Sequence, residues 1–440
     1  MITAKGQLEH ALNAVAHTES KVHAYRHLLE TEAWSAAADA DTNPDSSAIH
    51  GWPFAVKEVF DVAGVQTSGG SQAYKDRIAP ADATAIERLR SAGGILVGTQ
   101  IAHELTCGLD QPATRNPWDL AYYPGGSSAG AGVSVAVGSA RFALGTDAAG
   151  SVRIPAAMTG TTGLKPTWGL ISSHGVMRQA SAPSIDHIGI IARSAAEITH
   201  ILPVVAGPDP WDPATLRAQP AQDEAPRYNN RIAILGDVTL EALAEIHPLD
   251  PDIKTAFSDA RIVFQKAGAE FVKVEVPTLP IAVEAILTFF SAELACANAK
   301  TLTERKAAFS PAVAEIIERG LATPAVQMLK AQRTRSQLRQ EIRSAFDSTD
   351  THFLLTPTTP RPAMPLSQLD PSEELITLVP FTCGFNLSGN PAISLPSGRT
   401  CDGLPIGLQI VSRPFMEVGL LKLAMQFQKL TDWHKRRPSL

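Results

Sequence analysis

The chain has 440 residues, 44% hydrophobic and 19% charged, a balance that excludes a disordered tail or a fibre and allows a large core without metal or disulfide staples. Its 44 acidic and 38 basic side chains leave a net charge of −6, which argues against a dedicated nucleic-acid binder. The four cysteines, Cys107, Cys296, Cys383 and Cys401, show no C-x-x-C spacing, so free thiols in a reducing cytoplasm are expected rather than a zinc knuckle or a redox pair.

The opening MITAKGQLEHALNAVAH has the apolar spacing of an amphipathic helix and lacks the apolar core and cleavage site of a signal peptide. No uncharged apolar run approaches the roughly 20 residues a membrane span needs, so a cytoplasmic chain without a membrane partner is expected. Helical spacing continues over residues 7–40, and the polar stretch 41–47 reads as a loop. FAVKEVFDV at 54–62 is short, β-branched and aromatic, which predicts a strand. DATAIERLRSA at 82–92 predicts a helix closed by Gly93-Gly94, and 95–97 a further strand; this alternation favours a mixed α/β core.

Residues 124–175 are dense in glycine and hydroxyl side chains but are interrupted by apolar runs at 133–137 and 142–144, so they must pack. Glycine permits positive φ and close backbone approach, and such density inside a packed segment points to backbone N–H groups that face something. Residues 208–227, rich in Pro and Asp, read as a surface connection. Strands are expected at 231–235, 270–276, 353–355, 392–395 and 406–411, and helices at 252–266, 281–300, 324–346 and 418–430. The helix at 324–346 carries Lys330, Arg333, Arg335, Arg339 and Arg343, read as a solvated face rather than a nucleic-acid surface.

Three segments could carry chemistry. Lys57 has apolar neighbours, Phe54, Ala55, Val56, Val59 and Phe60. Desolvation there would lower its pKa and make it a usable base; the alternative is a lysine that snorkels from an edge strand. Gly126-Ser127-Ser128-Ala129-Gly130 matches G-x-S-x-G, the nucleophile elbow of α/β-hydrolases, but NPWDLAYYP before it makes no convincing central strand; a serine-capped helix start fits equally. In Gly145-Thr146-Asp147-Ala148-Ala149-Gly150-Ser151-Val152-Arg153, successive N–H groups can converge on a developing oxyanion beside Ser151. The plain alternative is a tight turn between core strands, with Asp147 and Arg153 paired across it as a surface ion pair of little worth. His103-Glu104-Leu105-Thr106-Cys107 begins like a zincin motif without its second histidine, and the 12 histidines do not cluster, so no metal is expected.

Together these segments resemble the amidase signature family. Phe54-Ala55-Val56-Lys57-Glu58 looks like its lysine strand, Gly125 to Gly130 like its glycine-serine box, and Gly145 to Arg153 followed by Gly163-Leu164-Lys165-Pro166-Thr167 like its nucleophile turn. Asn116-Pro117, Asp186-His187-Ile188-Gly189, Gly389-Asn390-Pro391-Ala392-Ile393 and Gly403-Leu404-Pro405-Ile406-Gly407 extend the similarity over most of the chain. The resemblance implies a single α/β domain over residues 1–440, with a mixed central β-sheet covered by helices on both faces. Its core lies at 50–195 and 351–435, with a variable helical cover over about 200–350. It also implies a Ser–cis-Ser–Lys triad. Ser151 would be the nucleophile, Ser127 the bridging serine in a cis peptide and Lys57 the base. The N–H groups of Ala148, Ala149, Gly150 and Ser151 would form the oxyanion hole, with Ser128, Asp147 and Arg153 in support. Many members have two glycines before the nucleophile; here the pair is Ala149-Gly150, whose added methyl narrows the pocket floor.

The activity implied is cleavage of a carboxamide C–N bond through a seryl acyl-enzyme, with a small-molecule amide and water as partners and no cofactor; the family often forms homodimers. Pocket walls are expected at 104–108, 177–184, 287–294 and 380–385, where Phe289, Phe290, Phe381 and Phe385 favour a small neutral or aromatic substrate unless they are ordinary core. Two alternatives stand beside this. One is the glutaminase subunit of a tRNA-dependent amidotransferase, a member of the same family. The other is a catalytically silent binding protein on the same fold.

Overall fold

The structure, a computed structural model, describes residues 3–43, 47–108, 113–217, 230–370 and 376–440. Its centre is an 11-stranded mixed sheet in the order β1-β3-β2-β4-β6-β5-β10-β11-β9-β7-β8. The strands are β1 Tyr25–Leu28, β2 Pro53–Lys57, β3 Ile95–Gln100, β4 Phe142–Thr146, β5 Thr162–Lys165, β6 Ile188–Ala192, β7 Arg231–Leu235, β8 Glu270–Val274, β9 Phe353–Pro357, β10 Ala392–Arg399 and β11 Pro405–Ser412. β2 runs parallel to β3 and β4, and β7 parallel to β8 and β9; the remaining pairs are antiparallel.

The register of the parallel strands positions the site. Phe54 lies opposite Phe142 and Val56 opposite Leu144, so β2 and β4 reach their C-terminal ends side by side, at Lys57 and Thr146. Every residue of both strands is buried, as expected for strands covered on both faces. The Phe54 and Phe142 rings stack with centroids 5.4 Å apart, which pins this register. The carboxyl ends of parallel strands are where open α/β sheets bind ligands, because the chain there turns into loops and helix N-termini. Here β4 ends in a turn that enters the helix Arg153–Thr159, and the glycine-serine box enters the helix Ala129–Val137 just before β4.

Several expectations need correcting. The helical stretch at 7–40 is two helices, Ala4–Val22 and Glu30–Thr42, with β1 between them; β1 pairs antiparallel with β3, and four residues are too few to disturb a helical pattern. The strand expected at 54–62 stops at Lys57, where the backbone turns and Phe60 N donates to Lys57 O. The cover at 200–350 is not all helical: β7 and β8 extend the sheet at its far edge. The solvated basic face on Ala325–Thr349 has an exception. Arg335 is buried, stacks 3.8 Å over the Phe289 ring and donates to Ser184 O and Oγ. Half of the connection expected at 208–227, residues 218–227, lies outside the described residues.

The helix Ala282–Arg305 is long and apolar enough by composition to cross a bilayer, yet 61% of its apolar window is buried inside the fold. Phe289, Phe290 and Leu294 on it join the main core, with Phe381 and Phe385. Of the two readings open for these four phenylalanines, pocket wall or ordinary core, their packing supports the second.

Candidate active site

Lys57 closes β2, an interior strand flanked by β3 and β4, so it has no route to snorkel. The side chain is wholly buried, and Nζ donates to Ser127 Oγ at 2.7 Å and to Thr146 Oγ1 at 2.9 Å. Burial brings its pKa down to about 8, against the opposing pull of Asp186, Asp147, Glu58 and Cys107. Burial in turn raises the partly exposed Asp186 to about 7, against the Lys57 charge, the Ser181 hydroxyl and the His187 N–H. Burial, then the Lys57 charge, hold His103 down at about 3, so its imidazole is neutral at pH 7.

The Gly126–Ser127 peptide is cis. Ser127 O accepts from His103 N at 3.3 Å, and a Cβ at position 126 would come within 2.4 Å of His103 Nε2, so only glycine fits there. Ser128 does not sit in a nucleophile elbow. It opens the helix Ala129–Val137 without a strand before it, is wholly buried, and donates through Oγ to Thr146 O at 3.3 Å. Its N–H donates to Ser151 O at 3.2 Å, which ties the glycine-serine box to the turn at 145–153.

In that turn the backbone accounting is uneven. Asp147 N donates to His187 O, Val152 N and Arg153 N reach Asp147 Oδ2, and Ile154 N donates to Gly150 O. The four N–H groups between them, of Ala148, Ala149, Gly150 and Ser151, find no acceptor among the described residues. Gly150 takes φ +138, a backbone region that only glycine visits freely. Ser151 is partly exposed and its Oγ makes no hydrogen bond among the described residues. The structure thus joins Lys57 to Ser127 directly and brings Ser151 to the same site through Ser128, while the Ser127–Ser151 hydroxyl contact is not made.

Asp147 and Arg153 form no surface pair. Both are fully buried, 2.8 Å apart, and the guanidinium uses all its donors: on Asp147, Thr382 O, Gln409 Oε1 and Asn386 Oδ1. Burial would raise the Asp147 carboxyl, but Arg153, Lys165 and Asn386 outweigh it and leave the group well below the usual carboxylate range. Such a pair gives little net stability over an apolar replacement, but breaking one half strands the other. Here it shapes the turn that carries Ser151.

Asn386 and Gln409 were not foreseen, and Thr146, His103 and Thr382 were noted only within the 145–153 turn, a zincin-like run and the 380–385 wall, without the contacts seen here. Thr146 had a usable signal, since it ends an apolar run just before the turn. Thr382, Asn386 and Gln409 lie more than 200 residues beyond the turn and reach it only through the sheet order, which no local pattern encodes. Among the described residues, no group of three or more His, Cys, Asp or Glu is placed to hold a metal ion.

Fold, site and relatives together define an enzyme that hydrolyses amide C–N bonds. A family profile described as Amidase matches residues 7–421, and the chain belongs to the amidase signature family. It is 35% identical to a glutamyl-tRNA(Gln) amidotransferase subunit from Chromohalobacter salexigens, over 94% of this chain and 90% of that protein. Among solved structures it is similar to one described as a vestigial protein complex that reveals the evolutionary origins of an s-triazine catabolic enzyme (TM-score 0.88, 27% identity, 100% of this chain and 97% of that one). It is also similar to 6-aminohexanoate cyclic dimer hydrolase (TM-score 0.88, 26% identity, 100% and 95%).

Proposed function

We propose that the protein cleaves a carboxamide C–N bond through an acyl-enzyme on Ser151. Neutral Lys57 takes a proton from Ser127 as Ser127 takes one from Ser151, a relay that requires the two hydroxyls to meet during the reaction. Ser151 attacks the carbonyl carbon, and the oxygen gathers charge among the N–H groups of Ala148 to Ser151. The relay then runs backward to protonate the leaving nitrogen, and water, activated along the same path, releases the acyl group. The observation that carries this reading is the set of four consecutive unpartnered N–H groups beside a serine with an unengaged hydroxyl. Preorganised donors at such a point typically contribute on the order of 100-fold or more each to rate.

Two readings of the substrate each have an observation behind them. Identities of 32–35% to glutamyl-tRNA(Gln) amidotransferase subunits favour the amide of glutamine, hydrolysed in complex with a partner that takes the ammonia. They support that reading better than the small neutral or aromatic amide expected from sequence. The similarity to 6-aminohexanoate cyclic dimer hydrolase favours hydrolysis of a small amide. In both readings residues 1–440 act as one domain in the cytoplasm, without a cofactor. Hydrolysis of glutamine, small amides, aryl amides and ureas, each with Ser151→Ala as control, tests the proposal. Ammonia or amine release that the variant lacks supports it, and release that persists in a folded variant refutes it. Glutaminase activity that appears only with a co-purifying partner selects the first reading.

A further inference from the structure

We propose that Thr382 is a positioning residue for the oxyanion hole, acting through the peptide between Ala149 and Gly150; the inference rests on the oxyanion reading of that turn. Thr382 enters from the far side of the chain, is fully buried, and places Oγ1 2.5 Å from Ala149 O. A hydroxyl has one hydrogen, and a second carbonyl, Val379 O, lies 3.2 Å away. That second carbonyl already accepts from Thr382 N and Cys383 N, both at 2.9 Å, so the hydroxyl hydrogen is free for the shorter bond to Ala149.

The consequence follows from peptide geometry. The Ala149–Gly150 bond is trans, so its C=O and N–H point in opposite directions within one plane. A donor that holds Ala149 O therefore aims Gly150 N–H away from Thr382 and fixes its direction within the turn. Gly150 needs such a hold. Glycine has the widest backbone freedom of any residue, and although Ile154 N holds the Gly150 carbonyl at 2.7 Å, nothing else among the described residues binds its N–H or the carbonyl of Ala149. Thr382 is itself fixed, because Arg153 Nη1 donates to its carbonyl at 3.0 Å. The same guanidinium grips Asp147 at the head of the turn, so both ends of the loop are referred to one rigid group.

The test uses Thr382→Val, which keeps the shape and removes the hydrogen, and Thr382→Ser, which restores the hydroxyl. A fluorophosphonate reports the oxyanion hole without a known substrate, since its phosphoryl oxygen occupies the same position during attack by Ser151. The valine variant should phosphonylate Ser151 about 10- to 100-fold more slowly and lose kcat by a similar factor with KM nearly unchanged; the serine variant should recover to within about threefold. Should the valine variant fail to fold, Thr382→Ala gives the same expected loss. Phosphonylation at the wild-type rate in a folded valine or alanine variant overturns the proposal, even if the melting temperature falls. Wild-type protein that takes no label at Ser151 overturns the nucleophile assignment itself, and this inference with it.

Discussion

Lys57→Met should change the way stability depends on pH, and the change can be sized in advance. An ordinary lysine titrates at 10.5; buried at the end of β2, Lys57 titrates at about 8. That fall corresponds to about 3 kcal/mol that the folded state spends on holding the ammonium form. Between pH 8 and 10.5 the unfolded chain binds a proton that the folded chain does not, so folding stability rises with pH through that window. The neutral lysine's stability is fully present above 10.5 and is lost as pH falls through 8. Methionine has no such titration, and the Asp186 carboxyl, released from the Lys57 charge that holds it down, titrates higher in the variant, which adds to the difference in the same direction. Urea unfolding at intervals from pH 7 to 10.5 should therefore show wild type gaining on Lys57→Met by at least about 3 kcal/mol. The offset at any one pH is less informative, because methionine also leaves Ser127 Oγ and Thr146 Oγ1 without their donor. A stability difference that is flat across the window would mean that Lys57 is not an unusually acidic lysine, and its role as base would fall.

Under the proposed mechanism the same group also sets the rate. kcat/KM should climb as Lys57 deprotonates, with an acid limb near pH 8; a rate independent of pH from 6 to 9 contradicts this. Asp186→Asn removes the leading anion that favours the lysine's charge, so the limb should move toward lower pH, while Asp147 and Glu58 continue to act on it; an unmoved midpoint refutes the coupling. Gly150→Ala should abolish activity, because its Cβ would lie 2.5 Å from Thr382 Oγ1 and 2.7 Å from Ile154 Cδ1 at a φ that alanine avoids; near-normal kcat would show that the turn is not held as described. Asp147→Asn strands the buried Arg153 charge and should cost about 3–5 kcal/mol in urea unfolding; a loss below about 1 kcal/mol would show the pair to be dispensable.

The parts of this site legible in the sequence are those in which a local pattern and the chemistry coincide. Lys57 stood out as a charge inside an apolar run, and the turn at 145–153 as small residues leading to a serine, since both features are written in consecutive positions. Burial was misjudged wherever it depends on the layer above. Asp147 and Arg153 read as a surface pair because charged residues six apart usually are, and only the packing of Thr382, Asn386 and Gln409 over them encloses both. Arg335 failed the same way, hidden against Phe289 on a helix whose other basic residues read as solvated. Phe289, Phe290, Phe381 and Phe385, which the sequence leaves open between pocket wall and ordinary core, are core, and helical spacing alone cannot separate the two.

The most direct test of the central claim is to label the wild-type protein with a fluorophosphonate at several pH values and map the adduct by peptide mass spectrometry. The account predicts a single adduct on Ser151, formed faster as pH rises through about 8 and almost absent from Lys57→Met at neutral pH. An adduct on Ser128, or labelling of Ser151 that is indifferent both to pH and to the loss of Lys57, would contradict it.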